Sequence, residues 1–133
     1  MSKSVEGSYI NLTDSLETIK ERLASAPTDS GKGKTVPTEG GVANLLKFVE
    51  LFEGQERCKM YDLRYTNEGI KYSELKEQLA NAIYKELKPI QKRREEIKAK
   101  PGYVEKVIEE GAKRAKVIAE MTLKETKKAM GLI

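Results

Sequence analysis

Histidine is absent from this chain, cysteine occurs once, and aromatic residues make up only 6% of it. Without histidine there is no imidazole general base, no Ser-His or Cys-His nucleophile pair and no histidine-ligated zinc. Cys58 alone cannot build a thiolate metal site or an internal disulfide, in keeping with a reducing compartment. No stretch approaches the ~18 apolar residues of a membrane span, and the first residues lack the apolar core of a secretory signal. The expectations are a cytoplasmic protein, no membrane partner and no bound metal.

What remains is 133 residues, 38% apolar and 35% charged, which is one domain's worth of chain able to bury a single core. The net charge of +4 is unevenly placed. Residues 1–72 hold 10 Lys and Arg against 11 Asp and Glu, whereas residues 73–133 hold 15 against 10. The densest basic run is Lys88, Lys92, Arg93, Arg94, Lys98 and Lys100, interrupted by Glu95 and Glu96. Two accounts fit it: cations near a helix C-terminus that favour the dipole, or a surface for a polyanion.

The run lies in a long helical pattern from Tyr72 to Gly131, expected to fold back at Lys100-Pro101-Gly102. Leu75, Leu79, Ile83, Leu87, Ile90 and Ile97 recur at helical spacing, with Ser73 as the expected N-cap and a bend at Pro89. The second helix carries Val104, Ile108, Gly111, Ala115, Ile118 and Thr122 on one face and ends before Gly131. Its small middle predicts close approach of the first helix. Glu109 to Lys113, Glu110 to Arg114 and Glu120 to Lys124 have the favourable i,i+4 order on a solvated face.

Ahead of this hairpin, Thr13 or Asp14 is expected to cap a helix with Leu16, Ile19, Leu23 and Ala26 inward, stopped by Pro27. Residues 28–41 read as a mobile, lysine-bearing surface loop. Its Gly31-Lys32-Gly33-Lys34-Thr35 is no phosphate-binding loop, because Thr28 stands where the pattern needs glycine and a helix precedes it instead of a strand. Val42 to Phe52 is apolar on more than one face, as a central buried helix would be, with Asn44 expected to satisfy loop backbone. A short helix near Arg57–Leu63 and a turn at Asn67-Glu68-Gly69 follow, with Tyr61, Tyr65 and Tyr72 as partly buried rings with wet hydroxyls. The fold class expected is all-α, with four to five helices and a long C-terminal antiparallel helical hairpin.

Several segments resemble a known family in the same order: Met1-Ser2-Lys3-Ser4, Thr28-Asp29-Ser30, Gly41-Val42-Ala43-Asn44-Leu45-Leu46, Tyr72-x-x-Leu75-Lys76, Leu87-x-Pro89-Ile90-Gln91-x-Arg93, Glu110-Gly111-Ala112-x-x-Ala115 and Ala129-Met130-Gly131-Leu132. Together they resemble the C-terminal part of the bacterial tryptophanyl-tRNA synthetases, class I aminoacyl-tRNA synthetases. The opening tetrapeptide looks like the end of that class's Lys-Met-Ser-Lys-Ser loop, without the loop's first lysine. The family's His-Ile-Gly-His-type motif cannot be present without histidine, and nothing resembles the nucleotide-binding fold.

The resemblance implies residues 1–12 as a remnant of the phosphate-binding signature loop and 13–133 as a helical anticodon-binding domain. It implies Lys3 as the catalytic lysine that stabilises departing pyrophosphate, with Ser2 and Ser4 beside it in ATP binding. Lys88, Lys92, Arg93, Arg94 and Lys98 would bind tRNA. ATP and Mg2+ would serve the complete enzyme, with neither expected to bind this chain tightly. Its partners would be tryptophan tRNA, the missing nucleotide-binding half and, in the complete enzyme, a second copy. The chain alone is expected to be inactive. A stand-alone RNA-binding module or a helical interaction module of synthetase ancestry is the alternative.

Overall fold

The computed structural model describes Val5 and residues 7–133. Five helices follow one another: α1 (Leu16–Ala24), α2 (Gly40–Glu53), α3 (Gln55–Asn67), α4 (Tyr72–Lys98) and α5 (Tyr103–Ala129). No strand occurs among the described residues, so the chain is all-α. It divides into two compact units, Met1–Lys92 and Arg93–Ile133, with the division inside α4.

Local chemistry sets where the helices begin and end. Ser15, one residue beyond the expected cap, ends the approach to α1 by accepting from the Thr18 N–H at 3.2 Å. Asp14 is engaged elsewhere, because its carboxylate accepts from the Asn11 backbone N–H at 2.7 Å and from Asn11 Nδ2 at 3.2 Å. At α4 the Leu75 N–H reaches the Lys71 carbonyl at 3.1 Å, so Ser73 sits within the first turn and is not its cap. Helix α3 is longer than expected and closes where Gly69, at φ +101, lets its N–H reach the Arg64 carbonyl at 2.6 Å. Pro89 lies inside an unbroken α4.

The core belongs to the first unit. Leu75, Leu79, Ile83 and Leu87 form a ridge at successive i+4 positions of α4, and it packs in one cluster with Ile19, Leu23, Val42, Leu45, Leu46, Val49, Tyr61, Tyr65 and Ile70. The ridge stops sooner than the pattern predicts: Ile90 is exposed, and Ile97 is only half-buried. Helix α2 buries Val42, Ala43, Leu45, Leu46 and Val49 but leaves Leu51 exposed, so it is central on one side only.

Helix α5 buries no residue, Val104, Ile108 and Ile118 are 47%, 65% and 66% exposed, and a Cβ built on Gly111 would meet nothing within 4 Å. Its stripe mixes Val104, Ile108 and Ile118 with Gly111, Ala115 and Thr122, and Val107, Val117, Met121 and Leu123 of the same helix are exposed as well. The Glu109–Lys113 pair forms at 2.7 Å, but Glu110 and Glu120 turn back to Lys106 and Lys116 instead of forward to Arg114 and Lys124.

These burial differences set the cost of truncation. Leu79→Ala is expected to cost about 2–5 kcal/mol, whereas Ile118→Ala should stay within about 0.5 kcal/mol. Urea unfolding followed by circular dichroism measures both, and equal losses would contradict the burial described.

Candidate nucleic-acid interface

The basic end of α4 presents two kinds of cation. Lys88 and Lys92, one helical turn apart, are exposed and have no ion-pair partner among the described residues. Arg93 reaches Glu96 at 3.1 Å, Arg94 reaches Glu95 at 2.9 Å, and Lys98 reaches Glu95 at 3.5 Å. Such exposed pairs contribute at most about 1 kcal/mol each, and here two carboxylates offset most of the charge of three cations, Glu95 being shared by Arg94 and Lys98. Of the candidate tRNA-binding residues, only Lys88 and Lys92 therefore stand as free positive charges. Ser2, Lys3 and Ser4 lie outside the described residues.

Helix α4 also carries polar side chains that tie irregular backbone to it. Lys76 Nζ donates to the Ala24 and Ala26 carbonyls at 3.0 and 2.8 Å, where α1 ends and its last carbonyls lack helical donors. Partial burial pushes the Lys76 ammonium below its ordinary pKa. Gln91 Nε2 donates to the Leu12 and Asp14 carbonyls at 2.9 and 3.0 Å. Lys20 reaches Glu77 at 2.9 Å.

Residues 29–33 are tied by hydrogen bonds to α3, α4 and the turn between them. The Asp29 carboxylate accepts from the Tyr65 hydroxyl at 2.5 Å, the Tyr72 hydroxyl at 2.6 Å and the Gly31 N–H at 2.7 Å. The Ile70 N–H reaches the Gly31 carbonyl at 2.7 Å, and the Gly33 N–H reaches the Tyr65 carbonyl at 3.2 Å. Gly31 is buried at φ +83, where a Cβ would stand 2.5 Å from the Ile70 carbonyl oxygen, so a side chain there meets both strain and a clash. The tyrosine hydroxyls are thus bonded and not merely wet: Tyr61 donates to Gln78 at 3.1 Å. These hydrogen bonds, from Tyr65 first and Tyr72 next, hold the Asp29 carboxyl below its usual range. Tyr65 is raised by its bond to Asp29, and Tyr72 by burial and then by the same carboxylate.

A cavity of about 590 Å³ opens beside α1 and α2, lined largely by apolar groups including Ile10, Leu23, Pro27, Leu45 and Phe48. Arg22 is the one charged residue on it among the described residues, and it is already committed to Asp14, at 3.6 Å, and to the Tyr9 carbonyl. Asn44 lines this cavity, exposed, and makes no side-chain bond to another described residue. The loop is instead brought against α2 by contact: a Cβ on Gly41 would stand 1.9 Å from the Pro27 carbonyl oxygen.

Residues 1–88 match the family described as tRNA synthetases class I (W and Y). The chain belongs to this family. Among curated relatives, a "Tryptophan--tRNA ligase" of Porphyromonas gingivalis is 36% identical over 133 residues, covering 98% of this chain and 40% of the relative. One of Clostridium acetobutylicum is 33% identical over 100% of this chain and 40% of its own length. Another of Caldanaerobacter subterraneus subsp. tengcongensis is 36% identical over 93% and 37% respectively. The chain therefore spans about 40% of the length of these synthetase relatives.

Tyr72, Lys76 and Gln91 belong to segments by which the chain resembles this family, yet their partners could not be read from spacing. The available signal was polarity at helix positions flanking an apolar ridge. Asp29, in another such segment, likewise gave no hint of Tyr65, 36 residues away.

The lowered Asp29 pKa fixes the sign of a pH effect. Its stabilisation is complete above the unfolded value of about 4 and is lost as pH falls through the lower folded value. Asp29→Asn should cost about 1 kcal/mol at neutral pH, a modest figure because the carboxylate is exposed, and the gap to the unaltered chain should narrow below about pH 4. The same substitution should shift the ionisation of Tyr65 and Tyr72 to lower pH in an ultraviolet titration. A gap unchanged by acid would contradict the described bonds.

Proposed function

We propose that this chain is the anticodon-reading part of a tryptophan-tRNA ligase, and that Lys88 and Lys92 make its first hold on the RNA backbone. Family membership supports a tRNA partner, and the unpaired state of these two exposed lysines carries the assignment. An ammonium on a flexible stem suits a phosphate as a point charge, whereas Arg93, Arg94 and Lys98 must first leave Glu95 and Glu96. Those three are a second rank of phosphate contacts, engaged once RNA charge competes with the carboxylates. Unpaired anticodon bases would be read by stacking and edge hydrogen bonds.

In the complete enzyme, tryptophan would be activated with ATP and then transferred to tryptophan tRNA in the cytoplasm. Lys3, flanked by Ser2 and Ser4, would place positive charge on the phosphates as pyrophosphate leaves. Mg2+ would accompany ATP in the complete enzyme. ATP binding and adenylate formation fall to the nucleotide-binding half, in a complete enzyme that is a homodimer. The purified chain is expected to show no tryptophan-dependent ATP–pyrophosphate exchange. An interaction module is the second reading, favoured by the exposed apolar residues of α5.

Binding to tryptophan tRNA and to the same tRNA with an altered anticodon, each over a salt series, tests the proposal. A preference for the native anticodon that persists as salt rises is the expected result. Lys88→Ala and Lys92→Ala should each reduce the salt slope by about 1, more than Arg93→Ala does. Equal, weak affinity for both RNAs, unchanged by either lysine substitution, would leave the interaction-module reading.

A further inference from the structure

The polar ties place one neutral side chain between the free lysines and the segment that follows the signature tetrapeptide. Gln91 stands one residue before Lys92 and three after Lys88, and both hydrogens of its amide nitrogen are committed to the Leu12 and Asp14 carbonyls. Those carbonyls lie in a closed turn. The Asp14 N–H reaches the Asn11 carbonyl at 3.1 Å, and the Asp14 carboxylate returns to the Asn11 N–H at 2.7 Å. Residues 9–14 contain no helix, so this segment is held by Arg22 on α1 and by Gln91 on α4.

Just before Gln91, α4 lacks one bond of its helical ladder. Pro89 has no N–H, so the Lys85 carbonyl receives no helical donor there, and local bending is easiest between Lys85 and Pro89. A phosphate chain held at once by Lys88 and Lys92 would restrain that turn. The restraint reaches the 11–14 turn through a tie made of neutral groups, which salt does not screen as it screens the lysine contacts.

We propose that Gln91 is a positioning residue that couples RNA on the basic end of α4 to the 9–14 segment. Occupied lysines steady the turn at Pro89, the steadied amide holds the Leu12 and Asp14 carbonyls, and the segment leading from residues 1–4 opens less often. This coupling rests on the tRNA reading above.

Hydrogen–deuterium exchange of the whole chain, read by NMR with and without a stem-loop RNA bearing the tryptophan anticodon, tests it. The Asn11 and Asp14 amides, both hydrogen-bonded within the turn, are the reporters. RNA should slow their exchange about tenfold, because the steadied helix keeps the two Gln91 bonds closed for more of the time. Gln91→Leu should bind the RNA within about twofold of the unaltered chain and lose that slowing, because only the two donors are removed. Lys20→Ala breaks a different tie to α4 and should retain it, which separates coupling from general loosening.

RNA binding without slowing in the unaltered chain overturns the coupling and leaves the tRNA reading standing. Slowing that survives Gln91→Leu overturns the assignment to Gln91. No RNA binding overturns the tRNA reading and the coupling with it. The unaltered chain decides the first of these by itself, even if Gln91→Leu does not fold.

Discussion

Irregular backbone without a neighbouring ladder must find its hydrogen-bond partners elsewhere, and in the first unit α4 supplies them. Its apolar ridge of Leu75, Leu79, Ile83 and Leu87 gathers the core, but apolar contact has no direction and cannot fix a loop. Direction comes from the polar residues flanking the ridge. Tyr72 donates to Asp29, Lys76 to the end of α1, and Gln91 to the turn before α1. The half-buried Ala26 and Asp14 carbonyls, left without these donors, would each lose a bond that water replaces incompletely. One helix thus organises both the core and the connections around it.

The same division between neutralised and free groups governs the charged surface. Asp29 is exposed, yet three donors saturate its carboxylate, so it braces the loop and offers little to a ligand. Glu95 and Glu96 do the corresponding service for Arg93, Arg94 and Lys98. A count of basic residues ranks all five candidates alike, whereas the geometry ranks Lys88 and Lys92 first. Competition between RNA phosphate and glutamate then makes the paired cations conditional contacts, which favours a dense phosphate chain over an isolated anion.

Apolar periodicity made the helices legible, because the period of 3.6 is written locally in Leu75 to Leu87 and in Val42 to Val49. Helix ends were less so: Ser15, Ser73 and Asp14 are all competent caps by composition, and only the competing Asn11 bonds remove Asp14 from the role. The length of α3 was missed since its apolar residues are sparse, and Tyr61 and Tyr65 are buried as rings whose hydroxyls find distant acceptors. The basic segment was legible as charge but not as free charge, because pairing depends on rotamers. The ties through Tyr72, Lys76 and Gln91 join residues 43 to 79 positions apart, beyond any local pattern.

Helix α5 marks the limit of periodicity as a guide to packing. A stripe at helical spacing says that one face could be buried; it does not say that burial is strong enough to happen. Its positions Val104, Ile108, Gly111, Ala115, Ile118 and Thr122 have the spacing, yet none of them is buried. What holds α5 within this chain is therefore local: backbone hydrogen bonds along 27 residues and exposed ion pairs such as Glu109–Lys113. Thr122 and Thr126 spend their hydroxyls on the Ile118 and Thr122 carbonyls, which adds no contact beyond the helix. A helix supported in this way opens from its ends at modest cost, whereas the Leu75–Leu87 face of α4 opens only when the core does. The two units thus differ in kind, one held by tertiary packing with polar ties and the other by helix propagation.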